Sequence, residues 1–377
     1  MRLVSLEYEN KALEWKLERT YFDDFNLLVG VSGVGKSLIL RAILSLHEIA
    51  HGASVSGLTW SAEFEASGNK RYVWEGEFEN IGVLKVPAKY ERQATAENAP
   101  RILRETINLG GAEVARRGPG GVFFENKQVE PKLSSSESLI SLFEEEDKLF
   151  ELVWGLKKMF LHDQSRAELP WFTDSSAWPN KPTYADAQSI IAVPYTSEFK
   201  LIELYRYFPE EVAPIFGAFK EIFPTVEDLR FVQPSVENLD REDNERYLLQ
   251  IREADRWIRS ENVSSGMRRT LSNLADLYLA SPGSIVLIDE FENSMGVNCL
   301  DFVTNVILSK RKDIQFIITS HHPYIINQVP MPSWRVVLRR GHVVSVRDAG
   351  DLGLGLSKHD AFLQLLNSEP FTEGIGV

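Results

Sequence analysis

The chain has 377 residues, 44% of them hydrophobic and 25% charged, which excludes a disordered chain and leaves room for two or three folded domains. Its formal net charge is −13, whereas proteins that coat nucleic acid are usually basic, so DNA binding is left open but not indicated. No apolar stretch approaches the ~18–20 residues that cross a bilayer, and no secretory signal is visible. The single cysteine, Cys299, excludes an internal disulfide framework and fits a reducing cytoplasm.

The first motif along the chain is a glycine-rich loop between a predicted strand and a predicted helix. The apolar run Phe25–Val29 predicts a buried strand, and apolar residues recur at helical spacing from Leu38 to Leu46. Between them lie Gly30, Val31, Ser32, Gly33, Val34, Gly35, Lys36 and Ser37. This is a complete GxxxxGK[ST] phosphate loop, which indicates nucleotide binding rather than a fortuitous glycine-rich turn.

The residue types of this loop suit the binding of ATP and Mg²⁺. Glycines allow backbone N–H groups to converge on one point, and the helix that follows directs the positive end of its dipole to the same point. Lys36 is predicted to reach the β- and γ-phosphates, and the Ser37 hydroxyl is predicted to be a ligand of Mg²⁺.

The middle of the chain predicts β-hairpins followed by a mainly helical insertion. Alternating aromatic residues in 58–79 predict an antiparallel hairpin, and a second hairpin is predicted around Asn126-Lys127. Apolar spacing predicts an amphipathic helix over 149–160 and helical structure over 197–222, joined by an extended connection over 163–196. No heptad pattern is long enough for a coiled-coil arm, so the insertion is predicted to be a compact lid.

A segment of serine and glycine begins a predicted helix in the C-terminal third of the chain. Ser264, Ser265 and Gly266 precede a run with apolar residues on one helical face. Such a segment can bind an anion through hydroxyls, backbone N–H groups and the helix dipole. It can also be simply a helix N-cap, because serine is a preferred capping residue. Its position shortly before an acidic pair favours anion binding.

That acidic pair ends the next predicted strand. The run Ile285–Ile288 is apolar and is followed directly by Asp289 and Glu290. Because α/β sheets bind ligands at the carboxyl ends of buried parallel strands, Asp289 is predicted to hold Mg²⁺ and Glu290 to activate the attacking water. By itself the pattern also fits a core strand that ends in an acidic loop.

A further apolar run, Gln315–Thr319, leads to His321. A histidine in this place can hydrogen-bond the γ-phosphate and sense its loss, and His321 is predicted to do so. The alternative is an ordinary loop histidine ahead of a turn that Pro323 stiffens. The tail predicts a hairpin over 334–346 and a short helix near 360–366, which is too little for a nuclease domain.

The order of these motifs resembles that of ABC-type ATPases, in particular the soluble RecF- and OLD-like group, which is also labelled AAA15 or AAA21. The resemblance covers about residues 1–50 and 225–345. The family signature reads Leu-Ser-Gly-Gly-Gln. Here the serine is kept at Ser264 and the second glycine at Gly266, whereas Met267 replaces the terminal glutamine.

Two further family motifs match less closely. The family's Thr-His-Ser-Pro switch is matched by residues 320–323, which aligns His321 with the switch histidine. Residues 291–298 resemble loosely the loop that lies between two ATP sites in the family. A clear glutamine loop is missing, and Gln128 and residues 134–137 are the candidates for it.

The resemblance implies an α/β fold: an ABC-type P-loop NTPase head with a mostly parallel core sheet, an antiparallel β-layer and a mainly helical insertion or lid. Its lobes are expected over residues 1–130 and 226–377, with the insertion over 131–225. It also implies a shared site, in which Ser264 and Gly266 of one copy contact the γ-phosphate of ATP bound at Lys36 of another. The protein is therefore expected to form a homodimer or higher homo-oligomer around ATP and Mg²⁺.

The leading hypothesis is an ATP-hydrolysing ATPase whose ATP-dependent oligomerisation regulates a separate partner. Resemblance to free-standing ATPases such as those of PARIS systems implies prokaryotic anti-phage defence and a nuclease-like effector, with no membrane role. The alternative is a RecF-like ATPase that acts on DNA in repair, against which the acidic charge counts. A transporter subunit is disfavoured by the missing glutamine loop, and a non-hydrolysing scaffold by the presence of Glu290.

Overall fold

The computed structural model describes residues 1–82, 99–130, 134–162, 184–193, 196–233, 247–292, 297–310, 314–352 and 375–376. Its strands are β1 (Arg2–Asn10), β2 (Trp15–Tyr21), β3 (Phe25–Val29), β4 (Leu58–Ala66), β5 (Lys70–Phe78), β6 (Ile102–Leu109), β7 (Ala112–Gly118), β8 (Gly121–Phe124), β9 (Lys127–Val129), β10 (Met159–His162), β11 (Val226–Val232), β12 (Leu248–Glu253), β13 (Arg256–Arg259), β14 (Ile285–Ile288), β15 (Gln315–Thr319), β16 (Trp334–Arg340), β17 (Val343–Asp348) and β18 (Ile375–Gly376). Its α-helices are α1 (Lys36–Ala50), α2 (Leu139–Leu142), α3 (Phe150–Lys157), α4 (Ala187–Ala192), α5 (Ser197–Tyr207), α6 (Pro209–Ile222), α7 (Ser265–Leu279), α8 (Val297–Lys310) and α9 (Pro323–Gln328).

The chain forms two compact units, and the first is built on one large mixed sheet. This unit consists of residues 1–161, 283–291 and 311–377. The strand order is β10-β14-β15-β3-β16-β17-β2-β1-β4-β5-β6-β7-β8-β9, with β18 beside β16. The strands β14, β15, β3 and β16 pair in parallel, and the run from β2 through β1 and β4 to β9 is antiparallel. A parallel core continued by an antiparallel layer confirms the predicted α/β fold.

The parallel strands lie in the interior because their sequences are almost wholly apolar. Every residue of β3, β14 and β15 is buried. Gln315 is a polar exception, and its amide is satisfied by the backbone of Leu3. Its Oε1 accepts from Leu3 N, and its Nε2 donates to Leu3 O, both at 2.8 Å. These bonds join the start of β1 to the start of β15 without leaving a buried polar group unpaired.

The antiparallel layer alternates as its sequence predicts. Trp60 and Trp74 on neighbouring strands β4 and β5 are both buried, and their rings meet edge to face with centroids 5.4 Å apart. The hairpin predicted over 58–79 is confirmed, as is the turn at Asn126.

Helices α1 and α3 pack on each other and join the same hydrophobic cluster. Helix α3 ends at Lys157, so the expectation that Phe160 continues its apolar face is wrong: Phe160 lies in β10.

The second unit, residues 162–282 and 292–310, combines helices with a small sheet. Helices α5, α6, α7 and α8 pack on one another, and β11-β12-β13 form an antiparallel sheet that contacts α6. The helical structure predicted over 197–222 divides into two helices at Phe208, because Pro209 occupies the first position of α6 and starts a new helix there.

Other expectations fall on the remaining parts of the chain. Cys299 is buried in α8, as expected of a small hydrophobe. The extended connection predicted over 163–196 contains the short helix α4, and its residues 163–183 lie outside the described residues, as does the helix predicted near 360–366. Among the helices of the described ranges, none has the length and apolarity needed to span a membrane.

Candidate nucleotide site

The eight residues of the predicted phosphate loop connect the end of β3 to the start of α1. Gly33 and Gly35 have φ angles of 86° and 107°, in the region that favours glycine, so the loop can turn sharply into the helix. Gly30 is needed for a different reason. A Cβ placed on Gly30 would lie 2.8 Å from the carbonyl oxygen of Val337 in β16, so only glycine fits this close approach.

The start of α1 is arranged to receive an anion. Its N-cap is Gly35, so no side chain caps the first turn, and backbone N–H groups there point out of the helix toward the loop. The ammonium of Lys36 donates to Gly30 O at 2.7 Å and to Val31 O at 3.0 Å. The loop therefore has a positive side chain and a positive helix end at one place.

Asp289, at the end of β14, contacts this loop directly. Its Oδ1 accepts a hydrogen bond from Ser37 Oγ at 3.1 Å and another from Thr319 Oγ1 at 2.6 Å. Because β14, β15 and β3 are parallel, their carboxyl ends meet at one edge of the sheet, and the three side chains converge there. Thr319 has no role in the sequence-based interpretation, although its position as a polar residue ending an apolar strand is the signal that could have found it.

Glu290 occupies a strained turn that the neighbouring strand holds in place. Its φ is 46°, which costs a non-glycine residue roughly 1 kcal/mol or more. The Glu290 N–H donates to Thr319 Oγ1 at 2.8 Å, and the next residue, Phe291, donates from N to Thr319 O at 3.0 Å. These bonds fix the backbone of the acidic pair, while the Glu290 side chain stays exposed at the site.

His321 and His322 follow β15 and differ in their surroundings. His321 is exposed, one residue beyond Ser320, whose N–H donates to Leu28 O at the end of β3. His322 is the N-cap of α9 and accepts from Tyr324 N at 3.2 Å through Nδ1. The structure thus gives His322 a capping role and leaves His321 at the edge where the strands end.

The serine-glycine segment lies in the second unit and begins α7. Ser264 is the N-cap of this helix, and its Oγ accepts from Met267 N at 3.2 Å. Ser264 and Ser265 are exposed, and Gly266 is partly exposed. The capping alternative is therefore realised, and it is compatible with anion binding because a helix N-terminus is exposed beside two hydroxyls.

The candidates for the glutamine loop lie elsewhere in the sheet. Gln128 is in β9, at the opposite end of the strand order from β10 and β14. Residues 134–137 are tied to the antiparallel layer, because Ser135 O accepts from Ile102 N at 2.9 Å and from Arg117 Nη1 at 3.0 Å. Neither candidate lies next to β14 in the strand order, and the assignment of a glutamine loop stays open.

The donor atoms at the sheet edge fit Mg²⁺. Ser37 Oγ and Asp289 Oδ1 are hydroxyl and carboxylate oxygens, which this ion prefers, and they already lie 3.1 Å apart. Within the described ranges no cluster of three or more His, Cys, Asp or Glu side chains could hold a metal unaided. The site therefore suits an ion that takes its remaining ligands from nucleotide phosphates and water.

A protein-family model matches the part of the chain that contains this site. A family model described as "AAA domain, putative AbiEii toxin, Type IV TA system" (AAA_21) matches residues 25–327, which include the phosphate loop, the acidic pair and His321. The chain belongs to the AAA_21 family. The AAA21-like resemblance inferred from the motifs is thereby confirmed. No curated protein sequence is significantly similar to this AAA_21 member.

Three solved structures of SMC heads match this AAA_21 protein, one of them with a TM-score above 0.5. An SMC head bound to the C-terminal winged-helix domain of ScpA matches with a TM-score of 0.54 and 14% identity, covering 92% of this chain and 97% of that one. The SMC head domain from Thermotoga maritima matches with a TM-score of 0.44 and 13% identity, covering 92% and 99%. An SMC head from Pyrococcus furiosus matches with 0.48 and 14%, covering 97% and 99%. The first match shows that the fold of this chain is similar to that of an SMC head; the scores of the other two are too low to add to this.

Proposed function

We propose that the protein binds and hydrolyses ATP with Mg²⁺, and that ATP joins two or more copies into an assembly that regulates a partner protein. The observation that carries the proposal is the hydrogen bond from Ser37 Oγ to Asp289 Oδ1, which joins the phosphate loop to the carboxylate at the end of β14. A phosphoryl-transfer site needs this combination of phosphate cradle, metal ligands and nearby base, because catalysis there depends on positioning and charge.

Each residue of the nucleotide site has a distinct role in this proposal. Lys36 and the N–H groups of residues 30–37 hold the phosphates, and Ser37 with Asp289 holds Mg²⁺, which supplies charge neutralisation when bound. Glu290 orients the attacking water and accepts its proton, since its backbone is fixed and its carboxyl is exposed at the site. His321, at the end of β15, hydrogen-bonds the γ-phosphate and loses that bond on hydrolysis.

Association of copies is proposed from the serine-glycine segment. Ser264, Ser265 and Gly266 are exposed at the start of α7, where a helix N-terminus and two hydroxyls favour an anion. We propose that this anion is the γ-phosphate of ATP bound to another copy. Hydrolysis then removes the group that joins the two copies, so the output of the reaction is a change of association.

The partner is proposed to be a separate, nuclease-like effector, and the setting to be anti-phage defence in the prokaryotic cytoplasm. Support comes from the family description, which refers to a toxin of a type IV toxin–antitoxin system. The SMC head of similar fold is bound to a domain of ScpA, so a head of this architecture can carry a partner protein.

Hydrolysis is tested by phosphate release from ATP and Mg²⁺. The wild type is expected to turn over ATP. Glu290→Gln is expected to bind ATP with unchanged affinity and to lose at least about 100-fold in turnover, the usual contribution of a general base. Lys36→Ala is expected to lose ATP binding. Undiminished turnover by Glu290→Gln would remove Glu290 from the base role, and unchanged ATP affinity in Lys36→Ala would refute the phosphate-loop assignment.

A further inference from the structure

Arg339 lies beside the phosphate loop, on a strand that none of the nucleotide motifs includes. Strand β16 is parallel to β3, and Val336 pairs with Val29, the last residue of β3. The remainder of β16 therefore runs alongside the loop itself, where the carbonyl of Val337 closely approaches Gly30. Because side chains alternate along a strand, Val337 and Arg339 project from the same face of β16.

The Arg339 guanidinium contacts the loop. Its Nη1 donates to Gly33 O at 3.4 Å, and its Nε donates to Gly341 O at 2.8 Å, in the turn after β16. Arg335, four residues earlier, forms ion pairs with Asp23 and Asp348. Among the described residues no carboxylate pairs with Arg339, although the chain contains 54 acidic residues. A half-buried guanidinium has five N–H donors, and the described contacts use two of them.

The charges at the loop favour a phosphate as the partner of the remaining donors. Asp289 and Glu290 place two carboxylates at the site, and a nucleotide triphosphate adds several negative charges to them. Lys36 is the cation of the loop itself. A guanidinium is the side chain best suited to phosphate oxygens, because its planar donors match them two at a time. Both Lys36 and Arg339 bond to carbonyl oxygens of the loop, so both lie within reach of a phosphate chain held there.

We propose that Arg339 is a second cation of the nucleotide site and binds the phosphate chain of ATP or ADP. This inference rests on the proposed function of the loop and extends it to a residue outside the motifs. The positive charge of Arg339 is what matters for affinity, and its hydrogen bond to Gly33 O places the guanidinium beside the loop.

Two substitutions at Arg339 distinguish the effect of its positive charge from the effect of its hydrogen bond to Gly33 O. Arg339→Gln keeps an N–H donor for Gly33 O without the charge, and Arg339→Lys keeps the charge without the planar fork. The dissociation constants of ATP and ADP are measured by titration with fluorescent nucleotide analogues and competition. Arg339→Gln is expected to weaken binding about tenfold, the usual worth of a charged hydrogen bond, and to flatten its salt dependence. Arg339→Lys is expected to bind more tightly than Arg339→Gln.

The matched control is Arg340→Gln, because Arg340 is the adjacent, exposed arginine and projects from the other face of the strand. It is expected to bind nucleotide as the wild type does. Wild-type affinity in Arg339→Gln, or an equal loss in Arg340→Gln, would overturn the proposal. If Lys36→Ala loses ATP binding and Arg339→Gln does not, only this inference fails. If the wild type binds no ATP, the proposed function and this inference fail together.

A second measurement needs no variant. Phenylglyoxal modifies accessible guanidinium groups, and peptide mapping reports which arginines react. ATP is expected to protect Arg339 in the wild-type protein and to leave Arg340 reactive. Equal reactivity of Arg339 with and without saturating ATP would overturn the proposal even if every variant were unstable.

Discussion

Thr319 is predicted to be the residue that holds the acidic pair in its working geometry. Its hydroxyl donates to Asp289 Oδ1 at 2.6 Å and accepts from Glu290 N at 2.8 Å, and the side chain is 1% exposed. Thr319→Val keeps the shape of the side chain and removes both bonds. A bond to a carboxylate contributes about 1.5–3 kcal/mol and a bond to a backbone N–H about 1 kcal/mol. The expected loss in free energy of unfolding is therefore about 2–4 kcal/mol.

The assay is denaturant unfolding, read as a shift of the midpoint at unchanged slope. The control is Ser5→Ala, because the Ser5 hydroxyl is buried in β1 of the same unit and has no hydrogen-bond partner among the described residues. Removing that hydroxyl is expected to cost less than about 0.5 kcal/mol.

A functional readout separates the site from general stability. Lys36 and the loop are untouched in Thr319→Val, so ATP affinity is expected to change little. Turnover is expected to fall at least tenfold, because Glu290 loses the bond that fixes its strained backbone. A variant that unfolds within about 0.5 kcal/mol of the wild type and turns over ATP normally would refute this account of the acidic pair.

Two further predictions concern the close approach at the loop and a buried histidine. Gly30→Ala is expected to lower the free energy of unfolding by about 1–3 kcal/mol and to weaken ATP binding, because the new methyl group meets Val337 O. The control is Gly118→Ala, which is expected to be neutral because a Cβ there meets nothing within 4 Å. Thermal unfolding and ATP titration compare the two variants, and equal behaviour would contradict the prediction. Burial lowers the pKa of His47 from its ordinary 6.5. As the pH drops below 6.5, the unfolded chain therefore takes up a proton at His47 more readily than the folded protein does. The free energy of unfolding decreases as the pH drops, until the pH passes the pKa of the folded state. The unfolding midpoint of His47→Gln is expected to fall less between pH 7.5 and about 5.5 than that of the wild type or of the control His51→Gln, and an identical fall would contradict it.

The parts of the fold that could be predicted from the sequence are those with local causes. The phosphate loop is specified by glycines, a lysine and a serine within eight positions, flanked by an apolar strand and an amphipathic helix. The hairpins follow from alternation, and β14 and β15 follow from apolar runs that end in polar residues.

The parts that the sequence did not reveal depend on pairing between distant segments. Strand β10 has four residues and follows α3 with no proline or glycine between them, so the sequence pattern extends the helix through Phe160. Its place beside β14 comes from a partner more than a hundred residues away.

Thr319 illustrates the same limit within the site. Its position as a polar residue at the end of an apolar strand is a signal in the sequence, but its importance depends on the parallel pairing of β14 with β15. That pairing brings its hydroxyl to Asp289 and Glu290 at once.

We propose that ATP joins copies of this protein through Ser264 and Gly266. The most direct measurement is the molar mass of Glu290→Gln by size-exclusion chromatography with light scattering, with ATP and Mg²⁺ or with ADP. For a chain of 42.8 kDa, ATP is expected to raise the mass to at least twice the value found with ADP. Adding Ser264→Arg is expected to abolish the increase while ATP remains bound. An ATP-saturated protein whose mass equals that with ADP, or a Ser264→Arg variant that assembles fully, would contradict it.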